Sequence, residues 1–130
     1  MYIILMFFFC ITTFEVAHCQ VEHNYLVGPQ STDCDSLSIA SLSIDEAISK
    51  IENSKFRFQQ QFKISRTFGV MNARYYSCDG ESGYLIMLVD KINYLYLKIP
   101  KSVWDKLITS SDINTFYTIE IKEKYDVIKN

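Results

Sequence analysis

Between residues 67 and 99 the chain alternates strand-forming segments with turns that are too short for a crossover connection. Residues 67–77, 84–89 and 94–99 are rich in aromatic and aliphatic side chains, which favour strands. Residues 78–83, with Asp-Gly at their centre, and residues 90–93 separate them. Since parallel neighbours need a dozen or more connecting residues, these segments are predicted to form an antiparallel meander.

A further strand is predicted just before the meander. Over residues 56–65, apolar side chains share one parity and polar ones the other, with Gln60 as the interruption. Such period-2 alternation is typical of a half-buried strand. As an edge strand it could pair with a second chain, although its charges oppose that pairing.

A short helix is predicted between the N-terminal segment and the strands. Ser43 and Glu46 have the spacing of a capping box, which marks a helix N-terminus. The apolar residues that follow at helical spacing are Ile44, Ala47, Ile48 and Ile51. This helix is expected to end near Asn53-Ser54.

A second helix is predicted after Pro100, which ends the last strand and suits the first turn of a helix. Its apolar face is Val103, Trp104, Leu107 and Ile108. Residues 113–125 fit both a helix and a strand, and a helix is preferred because a helical hairpin can cover one face of the sheet. The predicted fold class is therefore α+β, an antiparallel β-meander with helices packed on it.

The first nineteen residues are predicted to be a signal peptide. Residues 1–14 are uncharged and, apart from two threonines, apolar, and they are short for a membrane span. Ala17 and Cys19 would form a cleavage site before Gln20, which predicts a periplasmic or secreted protein without a membrane span. An uncleaved anchor, a misassigned start or a lipoprotein acylated at Cys19 are the alternatives. Residues 20–42 are expected to be a flexible tether and residues 43–126 a single domain.

Two cysteines remain after this cleavage. They are Cys34 and Cys78. Because an exported protein can reach an oxidising compartment, an even number of cysteines makes this pair a candidate disulfide. Two unrelated buried thiols are the alternative.

The order of several motifs resembles a known family. These are Ala73-Arg74-Tyr75-Tyr76, Tyr94-Leu95-Tyr96, the Ile99-Pro100 step followed by Trp104, and Phe116-Tyr117. Residues 68–125 thereby resemble the KTSC domain, although Asp112-Ile113-Asn114 stands in place of a usual glycine. KTSC domains occur as small bacterial proteins and at the C-terminus of some lysyl-tRNA synthetases. The function of the family is unknown, and the synthetase context has suggested RNA binding.

The sequence contains no recognisable catalytic or metal-binding motif. After cleavage His23 is the single histidine, in the tether, so a Cys or Ser nucleophile in the domain lacks an imidazole base. Two cysteines and one histidine without short spacing do not predict a zinc site. We therefore expect no catalytic residues, no cofactor, no metal and no small-molecule substrate.

Two kinds of binding remain. Residues 53–78 contain bases and aromatics but no acid, a composition used for stacking single-stranded RNA. The basic residues are Lys55, Arg57, Lys63, Arg66 and Arg74. The alternative is that the aromatics fill the core and the bases lie on a solvated face.

The favoured hypothesis is a non-catalytic protein-interaction or structural module with an unknown protein partner. Tyr75, Tyr94 and Tyr96, beside Trp104, could form an exposed contact patch, because Tyr and Trp are enriched at interface hot spots. Core packing of these side chains is the alternative. The formal net charge of −2 predicts no strong steering by the whole molecule.

Overall fold

The computed structural model describes residues 37–128, which form a five-stranded antiparallel sheet whose strand order follows the chain. The strands are β1 (Phe58–Lys63), β2 (Val70–Ser77), β3 (Ser82–Val89), β4 (Ile92–Pro100) and β5 (Val127–Ile128). The helices are α1 (Ile44–Glu52), α2 (Lys101–Thr109), α3 (Ile113–Phe116) and a π-helix (Tyr117–Lys122). The predicted antiparallel meander and the α+β class are confirmed.

Helices cover both faces of the sheet. The apolar face of α1 packs against Tyr76, Ile86 and Leu95 on one face. On the other face, α2 and the π-helix pack Trp104, Leu107, Tyr117 and Ile121 against the sheet. Since strands alternate their side chains between faces, β2 to β5 each supply residues to both clusters, whereas β1 supplies Phe62 to the cluster under α2. The sheet therefore lies between two apolar layers.

The C-terminal segment is helical over residues 113–122, so the preferred helix is confirmed for most of the predicted residues 113–125. Asp112 caps α3, because its carboxylate accepts hydrogen bonds from the Thr115 N–H and hydroxyl at 3.1 and 2.6 Å. The π-helix then continues directly from α3, and Tyr117 and Ile121 are buried. These two side chains pack into the core cluster under α2.

Two backbone irregularities shape β4. Asp90 and Lys91 have φ values of 49° and 67°, the left-handed conformation of a tight hairpin turn between β3 and β4. Lys98, with φ 54°, lies where the β3–β4 register shifts between Gly83 and Leu85. Such a β-bulge bends the strand and increases its twist.

The packed unit extends beyond the predicted domain of residues 43–126 at both ends. Ile39 is buried in the apolar cluster between α1 and the sheet, which we call the α1-side core, and Leu37 and Leu42 pack against this cluster. Residues 37–42 are therefore not a free tether. β5 pairs with Leu95 and Tyr96 of β4. The predicted signal peptide and the rest of the predicted tether lie outside the described residues.

Within residues 37–128, no helix combines the length and the apolar character that a membrane crossing requires.

Candidate interaction surface

The predicted tyrosine patch is wrong, because its side chains form part of the core. Tyr75 and Tyr96 are 0% and 1% exposed. The Tyr75 ring stacks on Trp104 with centroids 5.4 Å apart, and its hydroxyl donates to the Ile99 carbonyl oxygen at 2.9 Å. Tyr94 is half-buried and packs against the same cluster. Because two of the three side chains are buried, they do not form a shared exposed patch.

Tyr96 is fixed by a second buried hydroxyl. The Tyr96 hydroxyl oxygen lies 2.7 Å from the Tyr117 hydroxyl oxygen, so one hydroxyl donates a hydrogen bond to the other. Burial raises the pKa of both phenols, and burial also raises the pKa of Tyr75 to about 12. These hydroxyls are satisfied structural groups that stay protonated at neutral pH.

The aromatic side chains between residues 53 and 78 do not form a stacking platform either. Phe56, Phe62 and Tyr76 are buried like Tyr75, and Phe58 is half-buried. Phe68 is the exception at 77% exposed. The alternative expectation, that these aromatics mostly fill the core, is therefore correct, and base stacking on this sheet loses its structural basis.

The basic side chains predicted for RNA contact have different environments. Arg74 forms an ion pair with Glu52 at the end of α1, so its charge is compensated. Arg57 lies over the Phe58 ring with its guanidinium carbon 5.4 Å from the centroid. Arg57, Lys63 and Arg66 are exposed, and they follow one edge of the sheet together with the loop after β1.

An exposed apolar pair lies at one end of the sheet. Phe68 is in the β1–β2 loop, and Ile92, 55% exposed, begins β4 after the β3–β4 turn. In a meander these two connections are at the same end, because they alternate with the β2–β3 turn. We name this pair the Phe68–Ile92 surface.

The β1–β2 loop, which carries Phe68, and the β3–β4 turn, which directly precedes Ile92, are hydrogen-bonded to each other. The Gly69 N–H donates to the Asp90 carboxylate at 2.6 Å, and the Asp90 N–H donates to the Gly69 carbonyl oxygen at 3.0 Å. The Val70 N–H donates to the Asn114 side-chain oxygen at 2.8 Å, which ties the same loop to α3. Phe68 is therefore presented on a fixed backbone.

The sequence pattern predicts a strand over residues 67–77, which would include Phe68. Gly69 adopts a φ of 74°, which breaks the strand and leaves Phe68 in the loop. A glycine inside a strand pattern is a signal for such a break. Ile92 is predicted within the turn of residues 90–93, a position that favours exposure, and the structure places it as the first residue of β4.

Residues 37–128 contain no histidine, and in this part of the chain no three His, Cys, Asp or Glu residues are grouped so that they could hold a metal ion. Cys78 follows β2 and packs against the α1-side core. Its candidate partner Cys34 lies outside the described residues, so the disulfide stays a prediction.

Comparisons with protein-family models, with curated proteins and with solved structures each found no match to this chain.

Proposed function

We propose that this protein is a non-catalytic protein-interaction module and that the Phe68–Ile92 surface contacts its partner. The observation that carries the proposal is the exposure of two large apolar side chains, Phe68 in the β1–β2 loop and Ile92 directly after the β3–β4 turn, where hydrogen bonds join these two connections. Single exposed apolar residues are common. A pair on a fixed backbone loses little conformational entropy on binding, which favours affinity.

The charges beside this surface suit an interface rim. Arg66 and Lys91 are exposed in the same two loops. An apolar centre with a polar rim is the usual composition of a protein–protein interface. RNA binding, the alternative from the sequence, is less well supported, because the aromatics that would stack on bases are buried.

The proposal includes export and a relationship to KTSC domains. Both rest on sequence: the apolar first fourteen residues, and the order of motifs over residues 68–125. The intact mass of the protein from fractionated native cells, taken without reductant, tests export. A mass that starts at Gln20 outside the cytoplasm supports export, and a full-length cytosolic protein contradicts it. The loss of two hydrogens would establish the Cys34–Cys78 bond.

Site-specific photocrosslinking in native cells tests the surface. A benzophenone amino acid is placed at Phe68, at Ile92 or at Glu81, which is exposed in the turn at the opposite end of the sheet. We expect the first two positions to give an adduct of the same mass and Glu81 to give none. In addition, Phe68→Ser should remove the adduct formed from position 92.

A stability control separates loss of binding from loss of fold. Because Phe68 is 77% exposed, Phe68→Ser should change the free energy of unfolding by no more than about 0.5 kcal/mol. Phe62→Ala, at a side chain 2% exposed, should lose about 3–5 kcal/mol. Equal adducts at all three positions, or none, would contradict the proposed surface.

A further inference from the structure

The edge of the sheet formed by β1 has a backbone ladder that faces outward. β1 pairs with β2 on one side, and among residues 37–128 no strand lies on its other side. The opposite edge is β5, which has two residues against the six of β1. β1 is therefore the longer of the two edges at which a further strand can be added.

The hydrogen bonds identify the outward groups. The Ile64 N–H donates to the Met71 carbonyl oxygen at 2.9 Å, in the same register that pairs Phe62 with Ala73. In an antiparallel ladder, bonded residues alternate with residues whose N–H and C=O point away. The outward groups thus belong to Gln59, Gln61 and Lys63.

The charge along this edge has one sign. None of the five strands contains an Asp or Glu. Arg57, directly before β1, and Lys63, its last residue, are exposed, and neither forms an ion pair with another described residue. Arg57 and Lys63 are thus the exposed bases that flank Gln59 and Gln61 along this edge.

These charges oppose pairing with a second copy of the chain. An antiparallel pairing of two β1 strands that sets Gln59 opposite Gln61 also sets Arg57 opposite Lys63 at both ends. Like charges directly opposite each other destabilise a strand pair. Opposite charges stabilise it, so the same two side chains favour an acidic strand.

We infer that β1 binds an extended acidic segment of a partner protein, which adds as a sixth strand beside Gln59, Gln61 and Lys63. The outward N–H and C=O groups bond the partner's backbone, and Arg57 and Lys63 pair with its carboxylates. This surface is separate from the Phe68–Ile92 surface, and either can fail without the other. RNA would use the same charges, but it needs no strand pairing.

Binding of short synthetic peptides to the whole chain tests the inference. One fluorescent peptide of about eight residues alternates Thr with Glu, and the matched peptide alternates Thr with Lys. Fluorescence anisotropy should show the acidic peptide binding at least about tenfold more tightly. A combined Arg57→Glu and Lys63→Glu variant should reverse that preference, whereas Lys106→Glu on α2 should leave it unchanged.

Backbone pairing is tested by Gln61→Pro, which removes one outward N–H while leaving both charges in place. Proline is tolerated on edge strands when its nitrogen faces away from the neighbouring strand. We expect the acidic peptide to lose at least about tenfold in affinity. In the unmutated chain, amide hydrogen exchange at Gln59, Gln61 and Lys63 should slow when the peptide binds, a readout that does not depend on the folding of the variant.

Four results would overturn the inference. Equal binding of both peptides would show that the edge does not prefer acidic segments. Undiminished binding of the acidic peptide to Gln61→Pro would show that the peptide does not pair with β1 as a strand. Slow exchange of the outward amides before peptide is added means that another part of this chain already occupies the edge. Binding of an oligouridylate without binding of the acidic peptide assigns the charges to RNA. None of these four results bears on the proposed Phe68–Ile92 surface, which the crosslinking experiment tests separately.

Discussion

At the scale of single residues, Gln60 shows how one polar side chain can hold a core together. It is 7% exposed and lies on the inward side of β1, where the alternation of phenylalanines predicts an apolar residue. Its side-chain oxygen accepts a hydrogen bond from the Trp104 indole N–H, across 44 residues of chain. A buried indole N–H needs an acceptor. Gln60 supplies that acceptor and so allows Trp104 of α2 to be fully buried against the sheet.

We expect Gln60→Leu to reduce the free energy of unfolding by about 1–3 kcal/mol, because the buried indole N–H loses its acceptor. Gln59→Leu, at an exposed neighbour on the same strand, should change it by no more than about 0.5 kcal/mol. Urea unfolding measures both. Trp104→Phe should then cost less in the Gln60→Leu background than in the parent, and equal costs would show that the two side chains are not coupled.

At the scale of elements, the features set by local sequence were predictable and the features set by distant contacts were not. The capping box of Ser43 and Glu46 forms, with the Ser43 N–H donating to the Glu46 carboxylate at 3.0 Å. By contrast, β5 consists of Val127 and Ile128, whose pairing with β4 depends on the path of the π-helix before it. No local pattern encodes such a strand.

The same difference explains the errors in the candidate site. Tyr75 and Tyr96 were predicted to be exposed, but strand parity alone cannot say that helices cover both faces of the sheet. α2 buries Tyr75 under Trp104, and the π-helix brings the Tyr117 hydroxyl to Tyr96. The alternative that the bases lie on a solvated face holds for Arg57, Lys63 and Arg66, which are exposed, whereas Arg74 is half-buried and paired with Glu52.

The capping box gives a prediction for α1. Ser43→Ala should reduce the free energy of unfolding by about 0.5–2 kcal/mol, since the Glu46 N–H loses its acceptor. Ser41→Ala, in the exposed turn before it, should have little effect. The hydrogen bonds from the Ser43 side chain and backbone lower the pKa of Glu46 below 4.5. The box is therefore weakened as pH falls through that lowered pKa, and the Ser43→Ala penalty should be smaller in acid than at neutral pH.

At the scale of the whole molecule, tyrosine side chains are buried or half-buried on both faces of one sheet. Burial is the main cause of a raised pKa in each affected phenol. These residues are Tyr75, Tyr76, Tyr84, Tyr96 and Tyr117. Because the unfolded chain ionises its tyrosines near the ordinary pKa of 10.0, the folded and unfolded states bind different numbers of protons in alkali, and stability becomes dependent on pH there.

The sign of this dependence follows from the direction of the shifts. Below pH 10 both states keep their phenolic protons, and the stability is fully present. As pH rises from 10 toward the folded pKa of about 12 for Tyr75, the unfolded state loses protons first, so the free energy of unfolding must fall. Urea unfolding in this range should show that fall. Tyr75→Phe should reduce its steepness even though the variant loses the bond to Ile99. An unchanged slope would mean that the buried phenol of Tyr75 does not couple the core to pH, and that other groups dominate the alkaline unfolding.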